Sequence, residues 1–103
     1  MKGSRIMGGA FKRTKIGSVP AEMPVRPILA RIKKSLFDIL KNRLPDARFL
    51  DLFAGSGSVG LEALSRGAAR VVFVDADPRS VRWIEKTLEK LPLTPEGSLK
   101  WRP

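Results

Sequence analysis

Two apolar runs organise this chain, one with a carboxylate inside its C-terminal end and one that ends at a carboxylate. Phe49-Leu50-Asp51-Leu52-Phe53 reads as a strand that runs into Ala54-Gly55-Ser56-Gly57-Ser58-Val59-Gly60, a glycine-rich turn. Arg70-Val71-Val72-Phe73-Val74-Asp75 reads as a second strand. Neither run alternates apolar with polar, which is the pattern of strands covered by helices on both faces of a parallel sheet. Between them the spacing predicts a helix from about Ser58 to Arg66, with Leu61 and Leu64 inward and Gly67 placed to end it. Asp77-Pro78 opens another helix, aspartate as N-cap and proline at the first helical position. Its apolar stripe is Val81, Ile84, Leu88 and Leu91, and Pro92 and Pro95 end it. Ser98 to Trp101 predicts the start of a third strand. This strand–helix order predicts an α/β fold with a parallel, doubly wound sheet.

The first part of the chain follows a different pattern. Arg5-Ile6-Met7 and Ala10-Phe11-Lys12 flank Gly8-Gly9, a two-residue turn signal, and predict a β-hairpin over about residues 4–16. Residues 17–27, with Pro20, Pro24 and Pro27, read as a linker. Residues 28–44 predict a helix whose inward stripe is Ile32, Leu36, Ile39 and Leu40, extended by Leu29 and Leu44. Arg31, Lys33, Lys34, Lys41 and Arg43 then populate its other faces, either as the solvated face of a core-docked helix or, continuous with Lys12, Arg13 and Lys15, as a phosphate-facing surface.

Charge sharpens this division. The 103 residues carry 20 Lys and Arg against 10 Asp and Glu, a net charge of +10. Residues 1–45 hold 11 of the basic groups and two acids, whereas residues 46–103 hold nine and eight. Such asymmetry between halves points to a polyanionic partner, foremost nucleic acid. The expected organisation is therefore a basic, RNA-docking segment at 1–45 and a ligand-binding unit at 46–103. Cysteine and histidine are both absent. That excludes disulfides, zinc-finger ligand sets, thiol nucleophiles and imidazole bases in these residues. It fits a reducing cytoplasm. No apolar run approaches the length of a membrane span, and no metal site is expected.

The glycine turn is where the chemistry concentrates. Gly55-x-Gly57-x-x-Gly60 satisfies the dinucleotide fingerprint, and Asp75 stands about where its ribose-binding acid belongs. A dinucleotide such as NAD therefore has to be weighed. Asp51 argues against it. A carboxylate at the strand end, beneath the helix N-terminus, opposes a pyrophosphate there. It suits a cationic ligand, and S-adenosylmethionine carries an ammonium and a sulfonium but no phosphate. Capping of the turn by the Asp51 side chain is an alternative role, compatible with the first.

At this point the residues resemble a known family. The run from Asp51 to Ala68, Asp-Leu-Phe-Ala-Gly-Ser-Gly-Ser-Val-Gly-Leu-Glu-Ala-Leu-Ser-Arg-Gly-Ala, is similar to the cofactor motif of the RsmD-type 16S rRNA guanine-N2 methyltransferases. The resemblance extends to Val71–Asp75, to Arg26-Pro27, to the 31–37 segment and to the hairpin from Arg5 to Ile16. It implies the N-terminal half of a Rossmann-like class I methyltransferase sheet, preceded by a basic hairpin and helix. It implies S-adenosylmethionine as cofactor and ribosomal RNA of the small subunit as partner. Asp51, Gly55, Ser56 and Gly57 would line the methionine end of the cofactor, Phe53 and Ala54 would also bind it, Asp75 would hold the ribose, and Ala76 would lie near the adenine. Arg5, Lys12, Arg13, Lys15, Arg26, Arg31 and Lys34 would meet RNA.

Two departures limit the resemblance. After Arg26-Pro27 the family usually has two threonines and an aspartate, where this chain has Ile28, Leu29 and Ala30. The family's Asn/Asp-Pro-Pro-aromatic motif, which holds a flipped guanine, occurs nowhere in this sequence. The expectation is an N-terminal piece of a longer enzyme, inactive alone. The alternatives are a non-catalytic RNA-binding module and an NAD-binding oxidoreductase fragment. With so few strands the first would keep an unpaired edge, so the chain alone is expected to be marginally folded or self-associating.

Overall fold

The computed structural model describes residues 5–10, 30–91 and 99–102. The elements are α1 (Ala30–Leu40), β1 (Arg48–Asp51), α2 (Ser58–Ser65), β2 (Arg70–Val74), α3 (Pro78–Glu89) and β3 (Leu99–Arg102). Of the second arm of the expected hairpin only Ala10 is among the described residues, and the linker lies outside them. So do Lys12, Arg13, Lys15, Arg26, Ile28 and Leu29.

The strands form one sheet in the order β1-β2-β3, parallel throughout. Phe49 pairs with Val71 and Asp51 with Phe73, so these four side chains share one face. Val71 and Phe73 are fully buried there. Both helices reach that face. A Cβ on Gly60 in α2 would lie 2.3 Å from the Phe73 ring, and one on Gly57 would lie 3.0 Å from Ile84 of α3. This is the parallel sheet that the strand–helix order predicts, and the Rossmann-like half that the family resemblance implies.

Coverage on both faces is not what the described residues show. Three strands that advance in one direction through right-handed crossovers put both connecting helices on the same side. The other side of β1 stays open, and Leu50 is 57% exposed. Beyond the strand, Leu52 and Phe53 are exposed too, Phe53 to 92%.

Helix α1 corrects a second expectation. Its buried residues are Lys33 and Phe37, with Leu36 and Leu40 packed half-buried on the core and Leu44, just beyond it, buried as expected, while Ile32 is 51% and Ile39 78% exposed. Lys33 and Phe37 are one turn apart and so share a face. Phe37 stacks on Phe49 with ring centroids 6.3 Å apart, and the Arg66 guanidinium sits 5.1 Å from the Phe37 centroid. The helix is therefore rotated from the apolar stripe, because a polar partner inside the fold receives Lys33. Ile6, Phe37 and Leu44 join Leu61, Val71 and Ile84 in one core cluster.

Helix ends follow the sequence signals. Asp77 Oδ1 accepts from the Arg79 N–H at 2.9 Å, and Pro78 opens α3. Gly67 adopts φ 102° just beyond α2, a conformation costly for any residue with a Cβ.

Candidate nucleoside-cofactor site

The site forms at the C-terminal ends of β1 and β2, where open α/β sheets bind ligands. β1 ends at Asp51, and the chain turns through Leu52–Gly57 into α2. Gly57 is the N-cap of α2 at φ 84° and offers no side chain to cap it. Asp51 supplies the cap from below: its Oδ2 accepts from the Gly60 N–H at 3.1 Å. The adjacent strand brings the second carboxylate. Asp75 Oδ2 accepts from Gly55 N–H at 2.9 Å, and Oδ1 from Asp77 N–H at 2.9 Å. The Ala54 N–H donates to the Val74 carbonyl at 3.0 Å, fastening the turn to the end of β2.

Burial pushes the Asp51 carboxyl above the usual carboxylate range, and the nearby Asp75 carboxylate adds to this. The Gly60 hydrogen bond acts the other way. Each carboxylate oxygen has acceptor capacity beyond a single hydrogen bond. The two aspartates thus present an acceptor-rich, negative mouth beside the glycine turn. Such a mouth takes hydroxyls and cations and repels phosphate.

Of the sequence-predicted cofactor residues, Asp75 is tied to Gly55 by a hydrogen bond, and Asp51 to the start of α2 just after Gly57. Ala54, Ser56 and Gly57 are buried in the turn, Ala76 is exposed, and Phe53 projects into solvent. Of the predicted RNA contacts within the described residues, Arg5, Arg31 and Lys34 are all exposed. Lys34 pairs with Asp38 at 2.8 Å.

Sequence reasoning missed a buried polar cluster behind the turn. Glu62, fully buried on α2, accepts from the Met7 N–H at 2.7 Å and the Gly8 N–H at 2.9 Å. Its carboxylate also receives Arg66 Nε at 2.8 Å and lies 3.2 Å from Lys33 Nζ. Lys33 Nζ donates to the Arg5 carbonyl at 3.1 Å and to Ser58 Oγ at 2.9 Å. Ser65 Oγ donates to the Gly8 carbonyl, and Ala10 N–H donates to the Ser65 carbonyl at 2.7 Å. Residues 5–10 are thereby held along α2, whose first residue, Ser58, borders the glycine turn. The correction for Lys33 is direct: it is not on a phosphate-facing surface. The available signal was Glu62 itself, an acid amid Val59, Gly60, Leu61, Ala63 and Leu64.

A family model described as Conserved hypothetical protein 95 matches residues 4–99. The chain is 40% identical over 87 residues to ribosomal RNA small subunit methyltransferase D of Escherichia coli K12, covering 84% of this chain and 43% of that protein. To the protein of the same name from Haemophilus influenzae it is 37% identical over 92 residues, covering 89% and 47%. Among solved structures, a hypothetical protein of Thermus thermophilus superposes with a TM-score of 0.77 at 40% identity, covering 95% of this chain and 53% of that one. The chain spans about half the length of the curated relatives it matches.

Proposed function

Since the chain belongs to the family described as Conserved hypothetical protein 95, the RsmD family, we propose that it forms the cofactor-binding half of an S-adenosylmethionine-dependent methyltransferase. The acceptor is a guanine exocyclic amine (N2) of small-subunit ribosomal RNA. One observation carries the choice of cofactor. Asp51 Oδ2 holds the Gly60 N–H at 3.1 Å, so a carboxylate occupies the helix terminus where a dinucleotide needs its pyrophosphate. A cationic, phosphate-free nucleoside fits this donor and acceptor set, and NAD does not.

When bound, S-adenosylmethionine supplies an electrophilic methyl group on a sulfonium. The chain's own task is to hold and orient. Backbone groups of Gly55, Ser56 and Gly57, with Ala54 behind and Phe53 beside them, receive the methionine side, and Asp51 supplies the negative charge there. Asp75 accepts from the ribose hydroxyls while its backbone hydrogen bonds fix its carboxylate. Ala76, with no bulky side chain, leaves room for the adenine. Methyl transfer to a nitrogen is largely a matter of alignment. The Arg5, Arg31 and Lys34 cations, with Lys12, Arg13, Lys15 and Arg26, serve the RNA phosphates. These 103 residues contain no Asn/Asp-Pro-Pro-aromatic tetrapeptide to hold the guanine, so they bind cofactor and RNA without transferring methyl.

Titration calorimetry with S-adenosylhomocysteine and with NAD tests the reading. The expected result is binding of the first, lost in Asp75→Ala, and none of the second. Preference for NAD, or indifference to Asp75→Ala, would overturn the cofactor assignment.

A further inference from the structure

Helix α3 sorts its charges by azimuth. At 3.6 residues per turn, Arg79, Arg82, Lys86 and Lys90 fall within an arc of about 80°, and at 1.5 Å per residue they span about 16 Å. All four are exposed. The apolar side, with Val81 and Ile84 buried and Leu88 half-buried, faces the core. The carboxylates on or next to this helix are Asp77, Glu85 and Glu89. Arg79 pairs with Asp77 at 2.8 Å. Among the described residues, no ion pair joins Arg82, Lys86 or Lys90 to any carboxylate.

Glu85 and Glu89 stand three residues after Arg82 and Lys86, so opposite charges partly offset a line of repeated cations. Arg82 and Lys86, and again Lys86 and Lys90, are like charges one turn apart. Lys86 and Lys90 lie at the C-terminal end, where the helix dipole favours cations, but Arg82 stands in the second turn and has no such support. The stripe also starts beside the candidate site. Pro78 directly follows the Asp75–Asp77 segment, and Asp75 is hydrogen-bonded to Gly55 of the turn.

We propose that the Arg82–Lys86–Lys90 face of α3 is a second phosphate-contact surface for RNA, separate from the basic N-terminal segment. The inference rests on the RNA-substrate reading above. It places cations along the strand that flanks the nucleotide delivered to the turn. A single-stranded backbone is the partner of choice, because repeated cations along one line match a linear polyanion and need no base-specific groups.

The test is the salt dependence of binding of the 103-residue chain to a single-stranded RNA oligomer. Each phosphate neutralised contributes a slope of about 0.7 in log K against log salt concentration, so three contacts contribute about 2. The variant Arg82→Gln/Lys86→Gln/Lys90→Gln is expected to lower the slope by about that amount and to leave S-adenosylhomocysteine binding unchanged. The control Arg48→Gln/Arg70→Gln removes two cations at the starts of β1 and β2, off the α3 face, and is expected to leave the slope nearly unchanged. An unaltered slope in the triple variant overturns the inference, and so does an equal drop per charge in the control. Tighter binding to anionic phospholipid vesicles than to RNA also overturns it. If the unmodified chain shows no salt-dependent RNA affinity, the RNA reading itself fails and the inference falls with it.

Discussion

Lys33 Nζ and Glu62 Oε1 meet at 3.2 Å with both side chains withdrawn from solvent. The pair joins α1 to α2, and Glu62 reaches further, to two backbone amides of residues 5–10 and to Arg66. Removing one member of a buried ion pair leaves the rest uncompensated and costs about 3 kcal/mol or more. Glu62→Gln is expected to cost about that much. Its amide nitrogen would face donors on every side. Lys33→Met is expected to cost less, since Glu62 keeps Arg66 and both amides while the methionine stem fills the space. Chemical denaturation of both variants measures the difference. Equal losses would mean that Lys33, not the convergence on Glu62, dominates the cluster.

The same carboxylate sets a pH dependence. Burial pushes Glu62 up, but Arg66, the Met7 and Gly8 amides and Lys33 outweigh it and hold the group below its ordinary 4.5. A lowered carboxylate contributes stability that is present above its unfolded value and lost as pH falls through its folded one. The Tm gap between the native chain and Glu62→Gln is therefore expected to be widest near neutrality and to narrow below pH 4.5. Thermal melts from neutral pH down into the acid range check this, and a gap that is constant with pH would remove Glu62 ionisation from the account.

Asp51 has the opposite sign. Its raised carboxyl contributes stability below the ordinary 3.8 that is lost as pH rises through the folded value. At neutral pH the ionised form is held at a cost. Asp51→Asn keeps an oxygen for the Gly60 amide and removes that charge. The variant is expected to be as stable as the native chain or up to about 1 kcal/mol more stable, while binding S-adenosylhomocysteine more weakly. Calorimetry alongside denaturation reads both. Loss of stability with unchanged binding would assign Asp51 to helix capping alone.

Gly60 is a packing requirement. A Cβ there would meet the Phe73 ring at 2.3 Å, inside any real contact. Overpacking of this kind costs about 1–3 kcal/mol. Gly60→Ala is expected to lose stability in that range in urea titrations, and Gly60→Ala/Phe73→Leu to regain part of it.

Phe53, Leu52 and Leu50 form an apolar line along β1 and just past it. β1 is an edge strand of the described sheet, and an exposed apolar edge invites pairing between chains. Leu52→Ser/Phe53→Ser is expected to reduce self-association in sedimentation velocity, with little change in the unfolding midpoint.

Much of this molecule was legible in its sequence. Local rules act on neighbours along the chain, so the Asp77-Pro78 helix start, the Leu61 and Leu64 stripe, the glycine turn and both strand-end aspartates could be read from adjacent residues. The parallel sheet followed from element order. What the sequence left open depends on groups far apart in the chain. Lys33 and Glu62 belong to different helices with a whole strand between them, and their attraction turns α1 away from the Ile32–Ile39 stripe. Asp51 capping Gly60 and Asp75 holding Gly55 likewise required two parallel strands side by side. Periodicity reports which face of a helix is apolar; only the tertiary structure decides whether a buried carboxylate gains more from a lysine than the core gains from an isoleucine.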